Sequence, residues 1–162
     1  MKDTYTIPAQ TCVGHVNLKV ADLSRSLNFY CSLLGFDLIS KYGNDVAFIS
    51  AGGYHHHIAL NTWNSKNAKP ANIRSPGLSH VAILYPTRGD LATIYQRLIT
   101  NDYPMTGVAD HGVSESLYLS DPDENGVELY WDRPRSEWPI DKKGMIKRFS
   151  KPLDVSNLLK EI

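Results

Sequence analysis

Apolar and polar positions alternate in short runs along this chain, and the same order of runs occurs twice. Residues 11–20 (TCVGHVNLKV) read as a strand. Asp22 or Ser24 then caps a helix over residues 23–34, where Leu23, Leu27, Tyr30 and Leu34 keep the spacing of one buried face. Gly35 suits the residue just past a helix end. Residues 36–42, 45–50 and 55–61 read as three further strands, parted by Gly43-Asn44 and Gly52-Gly53 turns. Residues 62–77 are rich in Asn, Lys, Ser and Pro, lack a period, and predict a connecting loop. The series then restarts. Residues 78–85 repeat the first strand, and residues 90–100 form an amphipathic helix with Leu91, Ile94 or Tyr95, and Leu98 inward. Residues 104–108, 117–120 and 127–131 supply three more strands. His80 stands where His15 stood, 65 residues on, and Val127-Glu128-Leu129 corresponds to Ile58-Ala59-Leu60. The pattern predicts an internal duplication: two βαβββ modules, about 11–61 and 78–133, in a single α+β domain over residues 1–133. Residues 134–162 form a tail ending in a short helix. Its Leu153, Val155, Leu158 and Leu159 are placed to pack back on the domain or on a partner subunit.

Composition narrows the function. At 162 residues the chain suits one domain with a sizeable core. Seventeen basic and seventeen acidic residues cancel, so no charge excess recruits nucleic acid or an anionic membrane. Lys142, Lys143, Lys147 and Arg148 read as a solvated face. No stretch approaches a membrane span, and the opening MKDTYTIPAQTCVGH has no apolar core of signal-peptide length. Two cysteines, Cys12 and Cys31, make no disulfide framework and suit a reducing cytoplasm.

The chemistry sits in the strands. In NGVELYW (residues 125–131) Val127, Leu129 and Trp131 share one side and Glu128 and Tyr130 the other. A carboxylate inside such a strand must meet solvent, a cation or a metal, because burying it alone costs several kcal/mol. A lone strand histidine is ordinarily a hydrogen-bonded one. Two histidines at equivalent places in two repeats, with one Glu in the last strand, instead suggest a metal set of His15, His80 and Glu128. Two imidazoles and a carboxylate leave open positions, as in non-haem Fe(II) oxygenases. The fourth repeat-equivalent position is Ala59, which cannot ligate, so the predicted site is a catalytic one with a vacancy.

From about residue 11 to 133 the chain resembles the vicinal oxygen chelate superfamily, which includes glyoxalase I, fosfomycin resistance enzymes, bleomycin-binding proteins and extradiol dioxygenases. Within it the sequence is most similar to the type I extradiol (catechol 2,3-) dioxygenases. That resemblance implies paired βαβββ modules whose sheets curl around a metal held by His15, His80 and Glu128. Three landmarks favour the dioxygenase branch. GYHHHIAL looks like the family's HHxIAL motif, which makes His56 the acid–base residue. Tyr118, ten residues before Glu128, falls at the spacing of the active-site tyrosine. His111, in ADHGVSESLYLSDP, resembles the histidine that hydrogen-bonds substrate and oxygen.

The resemblance therefore implies an Fe(II)-dependent oxidoreductase of aromatic-compound catabolism, cleaving a catechol-type diol with O2. Mn, Zn or Ni are the alternative metals, and a homodimer or higher homo-oligomer is the expected assembly. The rivals are a glyoxalase-like isomerase, a fosfomycin-type thiol transferase and a non-enzymatic bleomycin-like binding module. An isomerase normally needs a fourth ligand where Ala59 stands. A transferase needs cations near the metal, and Lys19, Arg25 and Arg97 do not obviously cluster there. A binding module usually lacks the metal set. The large extradiol enzymes carry four modules and this chain two, so the elements closing its pocket are expected to differ.

Overall fold

The computed structural model describes residues 4–72, 74–147 and 149–162. Two four-stranded mixed sheets carry the two modules, and neither closes on itself. In the first, β1 (Val16–Lys19) is followed by helix α1 (Leu23–Leu27) and then by β2 (Asp37–Tyr42), β3 (Val46–Ser50) and β4 (Ile58–Asn61). The sheet order is β1-β4-β3-β2, with β1 and β4 parallel and the other neighbours antiparallel. The second module repeats this with β5 (Val81–Leu84), α2 (Arg88–Thr100), β6 (Met105–Asp110), β7 (Ser114–Ser120) and β8 (Gly126–Asp132), ordered β5-β8-β7-β6.

Register makes the duplication explicit. Asn17 lies opposite Ala59, and Ala82 lies opposite Glu128. Each of these first-strand residues follows its histidine by two places, and 82 − 17 equals 80 − 15, an offset of 65. The repeats thus superpose at the positions that matter for the site.

Local chemistry explains most elements. Asp22 accepts the backbone N–H of Arg25 and starts α1. Thr87 and Asp90 form a capping box at α2, so that helix opens at Arg88, ahead of the apolar period that suggests residue 90. After Leu27 the first helix widens into a π turn over Asn28–Leu33, which buries Phe29 beside Tyr30, outside the predicted stripe. Gly35, at φ +90°, ends it. Strand β7 begins at Ser114, earlier than the sequence suggests, because its polar start is paired on both sides. Strand β4 begins only at Ile58, so His55, His56 and His57 lie in the preceding turn and escape the strand's alternation.

One core joins the modules. Leu18, Val20, Tyr30, Ile49 and Leu60 of the first half cluster with Leu91, Leu98, Leu117, Val127 and Leu129 of the second. Polar ties cross the same seam. Arg97 donates to the carbonyls of Leu33 and Ser32 at 2.7 and 2.6 Å, Tyr30 donates to Asp121 at 3.0 Å, and Arg25 pairs with Asp123. The tail folds back on the domain, one of the two placements its sequence allows. Helix α3 (Val155–Leu158) sinks Leu158 into the core with Leu153, while Val155 and Leu159 pack around them. Lys142, Lys143 and Lys147 are exposed, and Arg148 lies outside the described residues.

Candidate active site

Glu128 is the centre of a continuous polar line. It is on β8, opposite Tyr118 of β7 and Ala82 of β5, on the face away from Leu117, Leu129 and the helix. Its side chain is only 13% exposed, so the carboxylate needs partners. It has them. Glu128 Oε2 meets His80 Nε2 at 3.0 Å, and Oε1 accepts the Tyr118 hydroxyl at 2.9 Å. The Tyr118 hydroxyl also lies 2.8 Å from His111 Nε2. Four of the six predicted site residues thus form one chain, His80–Glu128–Tyr118–His111.

His80 reaches Glu128 because of Gly126. The Ser79–His80 backbone crosses the start of β8 so closely that a Cβ on Gly126 would lie 2.2 Å from the Ser79 carbonyl oxygen and 3.0 Å from His80 Cβ. Glycine is required there for space, with no left-handed backbone involved. Asn125-Gly126 is conspicuous in the sequence only as a turn signal, and the close approach depends on a strand 46 residues earlier (126 − 80).

The other two predicted residues form a second group on the first module. His15, just before β1, stacks its ring against His56 at 4.4 Å between centroids. His56 also contacts Phe48 at 4.9 Å, and its Nδ1 lies 2.7 Å from His55 Nδ1. Partial burial, followed by the neighbouring imidazoles of His15, His55 and His57, lowers the His56 pKa below the ordinary 6.5. The protonated form of His56 is thereby disfavoured. His57, the third of the triplet, points its Nδ1 to Ser50 Oγ at 2.9 Å.

Among the described residues, no three His, Cys, Asp or Glu side chains stand close enough together to hold a metal ion. The donors fit a divalent cation in part. Two neighbouring ligands at the usual ~2.1 Å from a metal lie about 3 Å apart, the separation of His80 Nε2 and Glu128 Oε2. A histidine pressed directly on a carboxylate is also an ordinary ion pair, so the donor types add the rest: imidazole and carboxylate suit iron, manganese or zinc. His15 is with His56 in the second group, on the first module.

Two features of the surroundings are not legible in the short motifs. Asp132 follows Glu128 by four residues on the same strand face, and burial with the Glu128 charge raises its carboxyl pKa. Glu115 and Asp110, both buried, are held by cations on the core side of the second sheet. Arg88 meets Glu115 at 2.8 Å, Arg133 meets Glu115 at 2.6 Å and Asp110 at 3.0 Å, and Lys151 meets Asp110 at 3.4 Å. These groups line an open cavity of about 480 Å³ that the tail borders through Lys151, Leu153 and Asn157. Glu115 lies ahead of the strand that the sequence predicts, and its two cations come from distant segments, Arg88 from α2 and Arg133 from just after β8.

The duplicated βαβββ architecture is that of a known class. Residues 13–129 match the Glyoxalase/Bleomycin resistance protein/Dioxygenase superfamily, and the chain belongs to it. Among its relatives is a catechol-2,3-dioxygenase of Bacillus subtilis (strain 168), 39% identical over 156 residues, 96% of this chain and 54% of that protein. A biphenyl-2,3-diol 1,2-dioxygenase of Rhodococcus globerulus is 32% identical over 74% of this chain and 62% of its own length. The chain therefore spans about half to two thirds of these relatives. The metallothiol transferase FosB of Staphylococcus epidermidis is 31% identical over 74% of this chain and 81% of its own. In fold, a glyoxylase/bleomycin resistance protein/dioxygenase domain from Frankia sp. EAN1pec superposes with a TM-score of 0.64 at 23% identity, over 77% of this chain and all of that one.

Proposed function

We propose that this chain is an extradiol ring-cleaving dioxygenase that opens a catechol-type aromatic diol with O2, using Fe(II) bound by His15, His80 and Glu128. The observation that carries this reading is the hydrogen-bonded line from His80 through Glu128 and Tyr118 to His111. Similarity to the catechol-2,3-dioxygenase over 96% of the chain supports it. A bound iron would supply a Lewis acid for two vicinal oxygens and a conduit for electrons between diol and O2.

The chain's own residues do the rest. Tyr118, fixed by Glu128 on one side and His111 on the other, presents its hydroxyl beside the ligand pair and orients a substrate oxygen there. His111 offers a ring nitrogen on the same line. His56, whose protonated form is disfavoured by partial burial and its histidine neighbours, takes a proton from a substrate hydroxyl. The unpaired thiols of Cys12 and Cys31 fit a cytoplasmic location, and we expect a homodimer or higher homo-oligomer. The thiol-transferase reading is weaker because two of its three candidate cations, Arg25 and Arg97, are committed to Asp123 and to the Ser32 and Leu33 carbonyls, leaving Lys19.

The test is an oxygen electrode with anaerobically iron-loaded protein and a panel of catechols. Oxygen uptake with a yellow ring-opened product is expected, and His56→Phe should keep the iron while losing most turnover. Zinc or nickel in the purified protein with no oxygen uptake for any diol would overturn the reading.

A further inference from the structure

We propose that the main-chain carbonyl of Phe149, in the tail, fixes His111 in its Nδ1–H tautomer and so turns Nε2 into a hydrogen-bond acceptor facing Tyr118. This makes Phe149 a positioning residue for the proposed reaction, and it rests on the reading that His111 serves that reaction. His111 Nδ1 lies 3.3 Å from the Phe149 oxygen, and Nε2 lies 2.8 Å from the Tyr118 hydroxyl. A carbonyl can only accept, so Nδ1 must carry the hydrogen. In the neutral ring Nε2 then bears the lone pair. The single Tyr118 hydrogen consequently has two acceptors, Glu128 Oε1 at 2.9 Å and His111 Nε2. With the opposite tautomer Nε2 would be a second donor and could not accept from Tyr118.

The carbonyl is held in place by a built seat. Asp110 and Lys151 exchange both main-chain hydrogen bonds, at 2.8 and 3.1 Å, two residues beyond Phe149. Asp110 Oδ1 accepts the Gly112 N–H at 2.8 Å, and His111 N–H donates to the Ser114 carbonyl at 2.9 Å, so the His111 turn is fixed from both ends. The Phe149 ring lies on that turn, where a Cβ on Gly112 would come within 2.6 Å of it. Gly112, at φ +79°, is therefore needed for conformation and for room. Below the seat, Leu153 and Leu158 anchor the tail in the core. The superfamily match ends at residue 129, but the similarity to the catechol-2,3-dioxygenase extends over 156 residues and so into this tail.

The experiment is ¹⁵N NMR of the histidine rings in the full-length protein, with the His111 signals assigned by their loss in His111→Asn. The wild type should show a protonated Nδ1 and an unprotonated Nε2. Phe149→Ala, which removes a ring that is 43% exposed and so spares the core, should give a mixture of tautomers. It should lower kcat roughly 10- to 100-fold with KM changed far less, and Phe149→Tyr should restore both. If Phe149→Ala fails to fold, Lys151→Pro, which deletes the N–H bonded to Asp110, is read in the same way. An Nε2–H tautomer in the wild type, or a tautomer unchanged in a folded variant, overturns the proposal. A wild type inactive on every diol refutes the dioxygenase reading, while the NMR result still decides the role of the carbonyl.

Discussion

Replacing Gly126 with alanine would put a methyl carbon 2.2 Å from the Ser79 carbonyl oxygen, where ordinary contact begins at 3.4 Å. The backbone must open by about 1.2 Å (3.4 − 2.2), because the obstacle is main chain rather than the end of a flexible side chain. Val81 and Val127 are paired immediately beyond, so the strain falls on the Ser79–His80 lead-in. His80 Nε2 and Glu128 Oε2, now 3.0 Å apart, would separate to roughly 4 Å, too far to share a cation. Overpacking of this kind costs about 2 kcal/mol, or roughly 4–8 °C in Tm for a chain of this size. A misplacement of 1 Å in a catalytic constellation costs about 100-fold in rate. Tm, iron content and ring-cleavage turnover of Gly126→Ala should therefore fall together, with turnover falling most. Wild-type iron and turnover in this variant would refute the claim that close strand approach sets the ligand pair.

Tyr118→Phe removes the hydroxyl joining His111 to Glu128 and should leave iron content intact while turnover drops on the order of 100-fold; an oxygen electrode and metal analysis decide it. Leu158→Ala, at a fully buried tail position, should cost about 3 kcal/mol in urea unfolding, and a loss under 1 kcal/mol would mean the tail is not anchored there. Burial alone would raise the Asp110 carboxyl, but the Gly112 N–H, Arg133 and Lys151 outweigh it and hold the pKa below 3.8. Because the folded value is the lower one, the stabilisation is complete above the unfolded pKa and is lost as pH falls through the folded one. The stability gap between wild type and Asp110→Asn should accordingly shrink from about pH 5 downward, and a gap independent of pH would contradict this.

Much of the fold is legible in the chain because apolar period and turn chemistry act locally. The alternation around Glu128 gives its strand, and the 65-residue offset between His15 and His80 gives the duplication. Both survive because β1 and β5 meet their partners in the same register. Local pattern fails where a distant segment supplies the partner. Ser114-Glu115-Ser116 is too polar to read as strand until Arg88 and Arg133 arrive to neutralise Glu115. The His55–His57 triplet, expected in a strand, is in a turn because Gly52 and Gly53 (φ +66° and +78°) carry the chain around first. For the site, sequence offers candidate residues without their contacts. Only the fold shows that His80, Glu128, Tyr118 and His111 touch while His15 keeps company with His56. Phe149 and Gly126 are invisible at sequence level, since each acts through its backbone on a residue far along the chain.

The central claim is that His15 joins His80 and Glu128 in holding one metal. The most direct measurement is iron per chain after anaerobic reconstitution and desalting, for the wild type and for His15→Ala, His80→Ala and Glu128→Ala. About one iron per wild-type chain is expected, with tight binding lost in each of the three variants. Full iron retained by folded His15→Ala would contradict it, leaving the metal to the second module alone.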